Sequence, residues 1–131
     1  MLQPDYIQQR VFVIGEGTLF DEGVTHMLSQ RSDLLVSRLI FGGGLGFLNH
    51  IRLAQPDVVL VCESTSLDTT DILDFFSSPP IMMELRIVII RLRNNRIDVY
   101  AEPTLVAGNI SRTRQQITAK NEDDLLKVFI K

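Results

Sequence analysis

The chain has one cysteine, no tryptophan and two histidines in 131 residues. A single cysteine excludes an internal disulfide framework. His26 and His50 fall on separate predicted helices with no further donors beside them, which argues against a metal centre, because zinc sites need three or four clustered ligands. No run of about 18 apolar residues occurs, and no basic-plus-apolar leader opens the chain. Neither a membrane association nor export is therefore expected, and a cytoplasmic location follows by default. Internal repeats and low-complexity stretches are also missing.

What is present suits one domain spanning residues 1 to 131, with 1 to 9 as an N-terminal tail. At 45% hydrophobic content, a chain of this length buries roughly two-thirds of its unfolded surface and needs no metal or disulfide to hold it. The net charge of −3 hides an asymmetry: residues 1 to 85 hold four Lys or Arg against eleven acids, and residues 86 to 131 hold nine against five. Arg86, Arg91, Arg93, Arg96, Arg112 and Arg114 supply most of that basic end. Two readings stand for it: a contact surface for an anion, an acidic partner or nucleic acid, or an edge strand kept from aggregating by its charges.

Val11 to Ile14 and Val58 to Val61 are short, continuous, β-branched apolar runs, as in parallel strands covered on both faces. Thr18 is placed to cap a helix, with Asp21 three residues on in the place of a capping-box acid. Leu19, Phe20, Gly23, Val24, Met27 and Leu28 repeat at helical spacing as one apolar stripe ending near Gln30. Leu34 to Ile40 reads as a second strand. Leu45, Phe47, Leu48 and Ile51 mark a second helix, stopped by Gln55-Pro56. Ile72, Leu73, Phe75 and Phe76 mark a third helix, and Leu85 to Leu92 a fourth strand. The order βαβαβαβ predicts an α/β fold with a doubly wound parallel sheet.

The last third breaks this alternation. Arg91 to Tyr100 reads as two strands around a two-residue Asn94-Asn95 turn, since asparagine tolerates positive φ. Thr104 to Asn109 is turn-rich, Arg114 to Thr118 suits a further strand, and Asn121 can cap a final helix bearing Leu125, Leu126, Val128, Phe129 and Ile130.

Val11 to Ile14 followed by Leu19 and Glu22-Gly23, the strand Leu34 to Ile40, the Gly-containing loop Phe41 to Gly44, and the run Pro56-Asp57-Val58-Val59-Leu60 together resemble the response-regulator receiver family, especially receivers joined to a C-terminal helix-turn-helix. The likeness covers about residues 10 to 92 and the final helix. It implies a flavodoxin-like receiver fold, here with the fourth helix replaced by a β-hairpin segment. It also implies a two-component, transcription-regulating context with activity at the carboxyl ends of the strands.

There the chain departs from the family pattern. Gly15 stands where the first of two acids belongs, leaving Glu16; Cys62 occupies the phosphoacceptor position; Arg91 replaces Ser or Thr; Thr118 replaces the Lys, with Lys120 as the match under a shifted alignment. One carboxylate flanked by glycine and a thiol cannot supply the hard oxygen ligands of a Mg²⁺ site. Glu63 is a poor substitute acceptor, because successive strand residues point to opposite faces. Arg91 is read either as pairing with Glu16 in place of a metal or as reaching solvent. Cys62 is read either as a redox-sensing thiol or as a small buried hydrophobe.

Two glycine-rich spots invite a nucleotide reading. Gly15-Glu16-Gly17 lacks the third glycine of the dinucleotide fingerprint, and Gly42 to Gly46 lacks the Lys-Ser/Thr of a P-loop; tight turns explain both. The resulting expectation is a non-catalytic pseudo-receiver without cofactor or metal. It would act by protein-protein interaction or homodimerisation through Arg93, Arg96, Tyr100, Arg112 and Arg114. It would not bind DNA directly, and would serve a fused or separate DNA-binding output domain, either as a free-standing module or as part of a longer regulator. The alternatives are a small-molecule or nucleotide sensor using the pocket around Gly15, Glu16, Cys62 and Arg91, and an atypical phosphoreceiver.

Overall fold

A computed structural model describes residues 8–41, 48–64, 69–77, 84–91, 95–120 and 122–129. Eight strands and four helices follow in chain order: β1 (Gln9–Gly15), α1 (Leu19–Ser29), β2 (Leu34–Ile40), α2 (Leu48–Ala54), β3 (Val58–Cys62), α3 (Thr69–Ser77), β4 (Arg86–Arg91), β5 (Arg96–Tyr100), β6 (Thr104–Val106), β7 (Asn109–Ser111), β8 (Arg114–Thr118) and α4 (Glu122–Leu126), which tightens into a 3₁₀ turn at Lys127–Phe129. β1 starts at Gln9, the last residue of the expected N-terminal tail; residues 1 to 7 of that tail lie outside the described residues.

Six strands form one sheet in the order β2-β1-β3-β4-β5-β8. β2, β1, β3 and β4 run parallel, whereas β5 is antiparallel to β4 and β8 antiparallel to β5. The sheet is thus mixed and mostly parallel: β5 pairs antiparallel with β4, as the hairpin expected over Arg91 to Tyr100 requires, and β8 adds a second antiparallel pair to the parallel sheet that the alternation of strands and helices suggested. The reason for the reversal at β5 is the length of the β4–β5 connection: a parallel crossover needs a dozen or more residues. Among the described residues, Arg91 pairs with Arg96. That register rules out an Asn94-Asn95 turn, which would set Arg93 against Arg96; Asn95 itself has φ 50°. Residues 92 to 94, Arg93 among them, lie outside the described residues.

Side-chain alternation builds two cores. Val11, Val13, Val58, Leu60, Cys62, Val88, Ile90 and Ile97 face α1 and α4 through Val24, Leu28 and Leu125. Ile14, Val59, Val61, Ile87 and Ile89 face α2 and α3 through Ile51, Ile72 and Phe76. β3 is buried along its whole length, as a continuous apolar run in a sheet covered on both faces should be. Gln55 follows the end of α2 at φ 53°, and Pro56 after it disfavours continuation of the helix.

Between β4 and α4 no helix occurs among the described residues. Ala107 and Gly108, both at positive φ (52° and 82°), form a two-residue turn that pairs Val106 with Asn109, the geometry primed hairpin turns demand. The sequence showed this stretch only as turn-rich. The predicted helix positions Leu45 and Phe47, the glycines of 42 to 46 and the cap residue Asn121 lie outside the described residues. No helix is long and apolar enough to cross a membrane among the described residues.

Candidate functional site at the carboxyl ends of the strands

β1, β3 and β4 are neighbours in the sheet and end together, which brings Gly15, Cys62 and Arg91 to one edge. Thr118 ends β8, but β5 intervenes, so it lies two strand spacings, about 10 Å, beyond β4. Thr118 is exposed. Side-chain direction then divides the group. Gly15 and Cys62 belong to the face covered by α1, and Arg91 turns to the opposite face.

The space over Gly15 is occupied. A Cβ built on Gly15 would lie 1.9 Å from Asp21 Oδ2 and 2.7 Å from Asp21 Cβ, a distance no real contact tolerates. Asp21 is fully buried because it sits on the inward stripe of α1 with Val24 and Leu28. Its Oδ2 accepts the Gly17 backbone N–H at 2.9 Å. Its Oδ1 accepts the Thr18 hydroxyl at 3.0 Å and lies 3.4 Å from Arg38 Nη2 on β2. Thr18 caps α1 and its Oγ1 receives the Asp21 N–H at 3.3 Å. Gly17 turns the chain at φ 86°, confirming a tight turn in Gly15-Glu16-Gly17. A buried ion is tolerable only when paired and hydrogen-bonded, and the Gly17, Thr18 and Arg38 contacts meet that condition.

Cys62 lies beside this pair, 4% exposed. Burial, and then the negative charge of Asp21, push its thiol up to about 12, with Arg38 opposing weakly. A thiol so held is neutral at physiological pH and a poor nucleophile, which matches the small-hydrophobe reading and removes the basis of the redox one.

The Arg91 side chain is 20% exposed and is held by two carboxylates. Its Nε donates to Asp98 Oδ2 at 2.7 Å and its Nη1 to Glu63 Oε2 at 2.5 Å, partners other than the Glu16 that the sequence suggested. Bonding to Asp98 above all, against the opposing effect of burial, raises its pKa further. Asp98, fully buried on β5, is also paired with Arg96 Nε at 3.2 Å. Glu63, Arg91, Asp98 and Arg96 thus form one ion chain that fastens β3, β4 and β5 together at their ends.

The remaining basic residues are mostly engaged internally as well. Arg112 donates to the carbonyls of Leu85, Ala101 (3.2 Å) and Phe76 (3.5 Å), and its burial lowers its pKa. Arg86 Nη2 donates to Val128 O at 2.7 Å, and Arg52 stacks 4.3 Å over the Phe75 ring. Tyr100 is half-buried against the α2–α3 core, and Arg114 is exposed. His26 Nε2 meets Gln30 Nε2 at 3.0 Å, and no cluster of three metal-binding side chains exists among the described residues.

Asp21, Arg38 and Asp98 were not singled out as site residues in the sequence, yet they organise both ends of this edge. A signal for Asp21 was present: an acid that shares a helical stripe with Val24 and Leu28 is misplaced unless paired. The stripe itself also divides differently. Leu19 is 87% exposed and Phe20 36%, and Gly23 is exposed too. These three line a cavity of about 450 Å³ with Met27, Ile90, Ile97 and Leu125, displaced from the Gly15–Cys62 position where a pocket was expected. Compared with protein-family models, curated proteins and solved structures, the chain matches none.

Proposed function

We propose that this chain is a pseudo-receiver: a regulatory module with the receiver layout that acts by binding a protein partner or a second copy, without aspartyl phosphorylation. The fold part of this reading is supported by the strand order β2-β1-β3-β4, which follows the first four positions of the flavodoxin-like order, with helices on both faces. β5 departs from it by standing, reversed, where a fifth parallel strand would be, and β8, parallel to β4, comes next.

The single observation that carries the functional part is the Asp21 carboxylate seated over Gly15 and neutralised by Arg38. A phosphorylating receiver keeps that space open for acids that hold a divalent cation; here a cation is already supplied by a side chain, and the neighbouring acceptor position is a buried thiol. Arg91 repeats the pattern on the other face, neutralising Glu63 and Asp98. Such an edge holds its conformation permanently, as a constitutive docking module would. Any link to DNA would run through a separate or fused output domain.

Acetyl phosphate with Mg²⁺, followed by intact-mass and peptide mass spectrometry, tests this reading. No phosphate adduct is expected. A stable single adduct on Asp21, Glu16 or Glu63 would overturn it in favour of an atypical phosphoreceiver.

A further inference from the structure

We propose that the cavity between α1 and the carboxyl ends of β4 and β5 is a binding site for a monomeric apolar carboxylate, its hydrocarbon body against α1 and its anion at Lys120. The inference rests on the cavity alone and does not require the receiver layout.

A volume of about 450 Å³ lies within the range of small-ligand sites. Its walls are Phe20, Val24, Met27, Ile90, Ile97 and Leu125, and Leu19 stands at its mouth, 87% exposed. That is apolar surface left in water, which marks recognition sites.

Charge selects the ligand's head. In a chain of net charge −3, the lining contains no carboxylate among the described residues; the charged residues it does contain there are Arg91 and Lys120. Arg91 is occupied by Asp98 and Glu63. The Lys120 ammonium has no ion pair among the described residues. Asp124 accepts the Lys120 backbone N–H at 2.6 Å and pairs with Lys127 Nζ at 3.6 Å. An anion entering at Lys120 therefore meets a cation, and the described lining brings no carboxylate to compete with it.

Gly23 supplies an independent observation. It sits in the interior of α1, where glycine is less stable than alanine, and a Cβ there would meet nothing within 4 Å. Packing within the chain does not require the glycine. A ligand lying across the helix backbone does, since any side chain would project into the cavity that Gly23 lines.

The test is a titration of ¹⁵N-labelled protein with octanoate, decanoate and decyltrimethylammonium, all below their micellar ranges. Saturable amide shifts confined to Leu19–Met27, Ile97 and Ala119–Leu125 are expected, with decanoate binding more tightly than octanoate by up to about fourfold per added methylene. Lys120→Glu should weaken decanoate at least fivefold with an unchanged melting temperature. Gly23→Leu should abolish binding in a protein that melts no lower than the parent, which separates plugging from misfolding. Shifts that do not saturate, equal binding of the cationic analogue, or undiminished binding by Gly23→Leu would each overturn the assignment.

Discussion

Gly15→Ala isolates the physical reason why an acid is missing at the end of β1. The added Cβ would fall 1.9 Å from Asp21 Oδ2 and 2.6 Å from its Cγ, so the carboxylate must move. Moving it strains a packed interior, at about 1–3 kcal/mol, and weakens a charge-assisted hydrogen bond worth roughly 1.5–3 kcal/mol, here those to Gly17 and Arg38. The expected destabilisation is about 2–4 kcal/mol, a large share of the ~5–15 kcal/mol typical of a domain. Asp21→Ala alone should cost about 3 kcal/mol, because it leaves Arg38 and the Gly17 N–H without their partner. It also empties the space that the methyl group added at position 15 needs. The double variant should therefore be about as stable as Asp21→Ala, giving a coupling of about 2–4 kcal/mol in a double-mutant cycle. Urea unfolding followed by far-ultraviolet circular dichroism measures all four species. A Gly15→Ala protein within about 0.5 kcal/mol of the parent, or strictly additive effects, would refute the claim that Asp21 fills this position.

Three further outcomes are expected. Because the folded Cys62 thiol is pushed above its unfolded value, its contribution is complete below about pH 9 and is lost as pH rises towards about 12; stability should fall across that window by up to about 1.4 kcal/mol per pH unit, and Cys62→Ala should flatten the slope in urea titrations at stepped pH. Asp98→Ala should cost about 3–5 kcal/mol, since Arg91 and Arg96 would face a buried vacancy, whereas Arg114→Glu on the exposed face of β8 should shift thermal unfolding by no more than about 0.5 kcal/mol. Gly23→Ala should stabilise the protein by roughly 1 kcal/mol, read as an increased urea midpoint at unchanged slope.

The assignment of Arg96 and Arg112 to internal partners changes where a charge-dependent interface is to be sought. Reversing Arg96 would disturb Asp98, and reversing Arg112 would uncap three carbonyls, so either variant confounds a binding assay with lost stability. Arg114 and Lys120 are the basic positions that can be altered without that penalty.

Sequence alone determined the elements whose signals are local. The apolar runs of β1 and β3, the Thr18 cap, the stop at Gln55-Pro56 and the strand Leu34–Ile40 each rest on neighbours a few residues apart, where period and cap chemistry act. The departure of Gly15, Cys62 and Arg91 from an acidic pattern was equally legible, since it needs only the residue names. Tertiary structure decided what fills those positions. Asp21 meets Gly15 because a turn folds α1 back over β1. Arg38 joins it because β2 lies in register beside β1; the reversal of β5 was legible as a hairpin, but the register that sets Asp98 beside Arg91 was not. Whether an apolar stripe is buried or left exposed was likewise beyond the pattern of α1 itself: Leu19 and Phe20 share the periodicity of Val24 and Leu28, yet the first pair is 87% and 36% exposed and the second is buried.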